Sequence, residues 1–335
     1  MGSSPPKAEG REGLLIRSWY MLNRRYLRIK IMQALYAFFQ SDNKDLPRAE
    51  RELFNGVDKI YDLYIYQLAF LVELKHVATS LMEDAKNKRL PTQEDLDPNL
   101  KFLENKFINQ LAENIHLKRE MNNRKISWNN EYELVKKVYN NIKASEEYGK
   151  YMNVSDNSYK TDRKFIGEIF KEYIADYELL NHVYEERNLH WGDDIYIVNP
   201  MIVKTIESFK EDSNPDFHLL PLYKDREEDE QFMKELFRET AINEDETKKL
   251  IGEKTKNWEV ERIAMMDVLL MQMAITEVLH FSSIPVKVTL NEFIEISKIY
   301  STPKSKVFIN GILDKLVNDF KAENKLTKTG RGLME

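Results

Sequence analysis

The sequence predicts an all-α protein, and three observations carry that reading. Glycine is scarce, 11 in 335 residues. Apolar residues recur at i, i+3, i+4 and i+7 over long stretches, the period of one helix face. Proline-based loop signals at Leu90-Pro91, Asp97-Pro98 and Asn214-Pro215 fall between those stretches. The first helix is expected from about Arg24 to Gln40, burying Leu27, Ile31, Ala34, Leu35 and Phe38. Pro47 opens a second, long helix through Leu53, Val57, Ile60, Tyr64, Leu68 and Leu71 to about Asn87. Leu90-Pro91 and Asp97-Pro98 mark a loop, and further helices are expected near 99–121, 128–147, 161–189 and 195–210. Asn199-Pro200 reads as a kink or boundary in the last of these, and Asn214-Pro215 to Pro221 as a linker. Helices resume near 227–240 and 244–256, followed by a strongly apolar one from Trp258 to His280.

The last two helices carry the clearest local signals. Thr289 and Glu292 have the spacing of a capping box, with Val288 and Phe293 as its hydrophobic staple. Phe293, Ile296, Ser297 and Tyr300 then follow on one face. Ser301-Thr302-Pro303 reads as the next start, a capping hydroxyl with proline at the first helical position. Ile309, Leu313, Leu316, Val317 and Phe320 form that helix's buried stripe. Gly311 inside it costs ~1 kcal/mol against alanine, which close helix packing would explain.

Composition narrows the function classes. The absence of cysteine excludes disulfides and thiolate metal sites and fits a cytoplasmic protein. There is no apolar run of spanning length, so no membrane partner is expected. Residues 1–20 read as a disordered leader lacking an apolar signal core, with Met21 a plausible start, and residues 326–335 as a flexible tail. The formal net charge is −6, against general nucleic-acid binding, yet the charge is unevenly distributed. No acid occurs from Gly13 to Ser41, where Arg17, Arg24, Arg25, Arg28 and Lys30 lie, nor from Ile296 to Leu313, where Lys298, Lys304 and Lys306 lie. Acids gather in Asp225–Glu230 and Glu244–Glu246. Local basic patches on an acidic chain suit selective RNA binding.

Both patches sit where helix physics disfavours cations. Arg24 and Arg28 are a like-charge i, i+4 pair at the positive end of their helix. Lys304 and Lys306 occupy the first turn of the last one, where a cation costs ~0.3–1 kcal/mol without an anion nearby. Two readings stay open on this ground: side chains pointing into water, or an anion site made of ammonium groups and free backbone N–H groups. Asp267 interrupts an apolar run, so its carboxylate is expected to be exposed or paired.

The string IPVKVTLNEFIEISK from Ile284, with SKVFINGILDK from Ser305, resembles the C-terminal half of the NusB transcription antitermination factors. NRRYLRIKIMQALY from Asn23 to Tyr36 resembles the family's arginine-rich first helix. Trp258 and Arg262, and Ala274, Glu277 and Leu279, match further elements in the family's order. The resemblance implies an all-α, NusB-like helical bundle formed by residues 21–41 and 227–325. The intervening 42–226 would be an inserted helical domain, on which the family gives no guide. It implies binding of boxA-type single-stranded RNA through Arg24, Arg25, Arg28, Lys298, Tyr300, Lys304, Ser305, Lys306 and Phe308. Aromatic rings beside basic groups suit a single strand. It implies pairing with NusE, a small-subunit ribosomal protein, through Tyr36 and Asp267, and work within an RNA polymerase antitermination complex. It implies no cofactor and no covalent chemistry. Tyr26 and Lys304 depart from the family's pattern, the first often basic there and the second often acidic, and Gln272 stands where arginine is common.

Two other classes compete. Glu73-x-x-His76, Glu113-x-x-His116 and Glu277-x-x-His280 have the spacing used by di-iron helical-bundle enzymes. A protein-interaction scaffold with solvated basic patches would need no RNA. No phosphate loop, dinucleotide fingerprint, nucleophile elbow or zinc-ligand cluster is present.

Overall fold

The first helix begins where Asn23 stops being extended. Its side chain accepts hydrogen bonds from the backbone N–H groups of Arg25, at 2.9 Å, and Tyr26, at 3.1 Å. This cap sets the start of α1 (Arg24–Gln40). The structure, a computed structural model, describes residues 21–255 and 263–333, and Trp258 and Arg262 lie outside the described residues. Among the described residues there are fifteen α-helices and no strand, so the protein is all-α. After α1 comes the 41-residue α2 (Leu46–Lys86). The chain divides into two compact units. One comprises Leu22–Val57 with Tyr223–Glu335, and the other Asp58–Leu222 with Met21. The division therefore falls within α2 and just before residue 223.

The Asp58–Leu222 unit is built on the rest of α2, whose residues 63–71 are all buried. It continues with α3 (Gln93–Leu96), α4 (Lys106–Glu113), α5 (Ile115–Arg124), α6 (Tyr132–Lys143) and α7 (Glu146–Asn153). Then follow α8 (Tyr159–Ile169), α9 (Glu178–Arg187) and α10 (Trp191–Ser208). The helices are shorter and more numerous than the periodicity predicts, because polar side chains cap new starts inside the expected runs. Asn105 accepts from Ile108 N at 3.0 Å and Asn114 from Leu117 N at 2.8 Å, dividing the run expected at 99–121. Ser145 does the same ahead of α7, and Ser158 caps α8 close to the start expected near 161. After α8 the chain widens into a π-turn, Phe170–Ile174, closed by Ala175 N to Phe170 O at 2.8 Å. Pro200 is no boundary. It lies inside α10, and the Asn199 side chain before it bridges Gln67 Nε2, at 2.8 Å, and Ala175 O, at 2.8 Å. Tyr64, Tyr66 and Tyr139 are buried and Tyr61 half-buried.

The other unit holds α1, the start of α2, and α11 (Arg226–Ile242), α12 (Glu244–Lys254), α13 (Met265–His280), α14 (Val286–Tyr300) and α15 (Ser305–Ala322). Helix α13 is its axis: every residue from Asp267 to Val278 is buried, and α1, α11, α12, α14 and α15 all contact it. A helix apolar on all sides has to be central. Its polar members are each satisfied inside. Gln272 Nε2 donates to Glu244 O and Thr247 Oγ1, both at 3.0 Å, tying α12 to α13. The segment after α15, expected as a flexible tail, bonds to the α13–α14 loop. Lys328 Nζ reaches Phe281 O at 2.9 Å and Thr329 N reaches Ser282 O at 3.0 Å. Burial holds the Lys328 ammonium below its ordinary pKa.

Three sequence expectations are corrected here. Helix α14 starts at Val286 after Pro285, three residues before the expected capping box, so Thr289 lies inside the helix with its hydroxyl turned to Glu277. Val288 is 44% exposed and forms no staple with the fully buried Phe293. Helix α15 starts at Ser305 without a side-chain cap, leaving Pro303 in the preceding turn. Gly311 is exposed, and a Cβ built there meets nothing within 4 Å, so close packing does not explain it. Gly311→Ala is therefore expected to stabilise this unit by up to about 1 kcal/mol. A higher urea midpoint at unchanged slope would be the result, and a lower one would show that the glycine is needed.

Candidate nucleic-acid interface

The arginines of α1 have carboxylates waiting for them. Arg28, 2% exposed, donates from Nε to Glu277 Oε2 and from Nη2 to Glu277 Oε1, both at 2.7 Å. Glu277, fully buried, also accepts from Thr289 Oγ1 at 2.7 Å. The Arg28 guanidinium lies over the Phe232 and Phe293 rings, 5.4 and 5.9 Å from their centroids. Arg25 makes a second two-pronged pair, with Glu292, both bonds 2.7 Å. The bond to Glu292 raises the Arg25 pKa above its ordinary value, with smaller contributions from the charges of Glu292 and Glu295. Arg24 meets Glu228 at 2.7 Å and Asp229 at 3.2 Å. Burial raises the Asp229 carboxyl above the usual carboxylate range, and Arg24 opposes that shift.

This changes the reading of the first patch. The stretch is free of acids in sequence but not in space, because α11, α13 and α14 each supply carboxylates. Arg28 is withdrawn from the surface and cannot meet a ligand. Arg24 and Arg25 remain part-exposed, at 32% and 21% of their side chains.

The second patch is built on Asp267. Its carboxylate, 5% exposed, accepts from Ser305 Oγ at 2.7 Å and from Ser301 Oγ. Ser305 is 2% exposed and also touches Ser301 Oγ, at 3.0 Å, and Thr302 Oγ1, at 2.8 Å. The turn between α14 and α15 is thereby pinned to the first turn of α13, where a carboxylate suits the helix dipole. Ser305 and Asp267 are thus fasteners beneath the surface. Above them Lys304 and Lys306 are exposed, and neither has an ion-pair partner among the described residues. Tyr300 and Phe308 are half-buried beside them. Lys298, at the end of α14, is exposed and pairs with Glu295.

Helix α14 links the two patches. Glu292, Glu295 and Lys298 follow at three-residue steps on one face, so the row runs from the Arg25 pair toward the α14–α15 turn. Tyr36 is 41% exposed near the end of α1, where Gln40 Nε2 lies against Met265 Sδ. That contact brings the end of α1 to the start of α13, two residues before Asp267. The residues that sequence reasoning missed are the partners: Asn23, Glu228 and Asp229. Their signals were a capping asparagine ahead of the arginines and an acidic run directly opening a helix.

The glutamates and histidines do not assemble a di-iron centre. Both Glu277 oxygens serve Arg28 and Thr289, while His280 lies 3.6 Å from Glu239. His76 is an exposed partner of Glu73, and His116 stacks on His218 at 4.2 Å. Among the described residues no three such side chains group as a metal ion would require, and no helix is long and apolar enough to cross a membrane.

The fold and the patch define a class: a helical bundle around one buried helix, with a basic turn held at its edge. Residues 200–318 match the family described as the NusB family. The transcription antitermination protein NusB of Salinibacter ruber is 46% identical over 103 residues, covering 31% of this chain and 64% of that protein. That of Chloroherpeton thalassium is 48% identical over 85 residues, 25% of this chain and 40% of the relative. That of Syntrophotalea carbinolica is 41% identical over 86 residues, covering 26% and 55%. The chain thus spans between 40% and 64% of the length of these curated relatives. No solved structure matches the chain.

The buried pair yields a direct expectation. Arg28→Ala or Glu277→Ala leaves one charge buried and alone, and each should cost about 3–5 kcal/mol. Arg28→Met with Glu277→Leu should cost less than either. Urea unfolding of the three variants checks this, and single variants of wild-type stability would refute the pair's role.

Proposed function

We propose that this chain is a transcription antitermination factor of the NusB type. It binds boxA-type single-stranded RNA together with NusE, within an RNA polymerase antitermination complex in the cytoplasm. It works by assembly and catalyses no reaction. The observation that carries the reading is the α14–α15 turn. Two exposed lysines without carboxylate partners among the described residues stand there at a positive helix end, flanked by Tyr300 and Phe308, in a segment matched by the NusB family. Cations at that end are disfavoured until an anion arrives, and bases can stack on adjacent rings while phosphates meet the ammonium groups. Lys298, Arg25 and Arg24 extend the RNA-facing row. Arg28, Ser305 and Asp267 support it from beneath. Tyr36 is the exposed candidate for NusE contact.

The test is binding of a fluorescent boxA-type RNA against a scrambled one, with and without NusE, across a salt series. Selective binding strengthened by NusE supports the reading, and equal binding of both RNAs overturns it. Lys304→Ala and Lys306→Ala should each flatten the plot of log affinity against log salt by roughly 0.7, one single-strand phosphate contact. An unchanged slope would remove that lysine from the RNA.

A further inference from the structure

The three arginines of α1 form a graded series. Arg28 and Glu277 are sealed, at 2% and 0% side-chain exposure. Arg25 and Glu292 are both at 21% and joined by two bonds. Arg24, at 32%, differs in kind, because its two carboxylates differ from each other. Asp229 is nearly buried and contacts Arg24 Nε, while its other oxygen accepts from Lys224 N at 3.2 Å and Asp225 N at 3.4 Å. Glu228 is 73% exposed and holds Nη2 by a single bond. The guanidinium rests 4.3 Å from the centroid of the Phe232 ring. Asp229 and Phe232 therefore fix the plane of the group, and Glu228 covers an edge from the solvent side.

We propose that Glu228 is a displaceable cover on Arg24: a nucleic-acid phosphate takes its place at Nη2, and RNA binds there by exchanging one ion pair for another. The inference rests on the RNA-binding reading above. A phosphate suits the position, since guanidinium donors match its oxygens and α1 begins here, at its positive end. The resident carboxylate is tethered and always at hand, so a loosely held phosphate does not displace it. Glu228 thus sets a threshold that a strand also engaged at Lys304 and Lys306 can exceed. Arg25 and Arg28 do not exchange, because their carboxylates are chelated or sealed. Glu228 can leave without harm to α11, whose first turn is capped by Asp225 through the Glu228 backbone at 3.0 Å.

The experiment uses the full chain and a fluorescent single-stranded boxA-type RNA. Glu228→Gln should tighten binding about twofold to fivefold, the range set by an exposed ion pair. Glu227→Gln removes the same charge from the same exposed turn without uncovering Arg24, and should change affinity far less. In an Arg24→Gln background, Glu228→Gln should give no gain. A readout without RNA accompanies these: an arginine-selective dicarbonyl, followed by mass spectrometry, should modify Arg24 faster in Glu228→Gln, with Arg25 and Arg28 unchanged. Equal affinity of wild type and Glu228→Gln, or equal gain from Glu227→Gln, would overturn the cover while leaving the RNA reading intact. Absence of RNA binding by both wild type and Glu228→Gln, with Arg24 labelling faster, would overturn that reading and the exchange with it.

Discussion

The bundle that carries the candidate interface depends on one buried ion pair, Arg28 with Glu277. Taking two charges out of water costs several kcal/mol per ion, and only near-ideal geometry compensates. Here two parallel bonds of 2.7 Å, a third from Thr289 and two aromatic rings surround the charges. The consequence is positional. Arg28 is on α1, Glu277 on the central α13 and Thr289 on α14, so a single cluster sets the register of three helices that apolar contact alone would let slide. Gln272 does comparable work between α12 and α13 at much lower electrostatic stakes.

Neutralising the α1 arginines moves the free positive charge elsewhere. With Arg25 and Arg28 matched by Glu292 and Glu277, the cationic RNA-facing candidates that meet no carboxylate among the described residues are Lys304 and Lys306, on a turn held by Asp267 from below. A buried acid here supports an exposed basic site by fixing the loop that presents it. The same residue at the surface would have cancelled part of the charge.

The Asp58–Leu222 unit has its own logic. Tyr66, Phe70, Trp128, Tyr184 and Trp191 form a continuous aromatic cluster with ring separations of 4.6 to 6.4 Å. Asp162, buried, accepts from Tyr151 Oη and Lys106 N, both at 2.8 Å. Helical period in the sequence signalled this unit's class well but its segmentation poorly. Asn105, Asn114, Ser145 and Ser158 can sit mid-helix or cap a new one, and their neighbours in space decide which.

What the sequence determined by itself was the all-α class, the span of α1, the buried stripe of α15 and the family match of residues 200–318. These depend on local period and on residue strings, which a single chain displays directly. Tertiary structure alone decided which charges are free. Arg28 and Lys304 look equally unpartnered along the chain, yet Glu277 meets the first from 249 positions away and no carboxylate among the described residues pairs with the second. Coulomb energy depends on separation in space and on burial, and neither can be read from separation along the chain. The same reason turned Thr289 from an expected cap into a partner of Glu277, and left Gly311 facing open space.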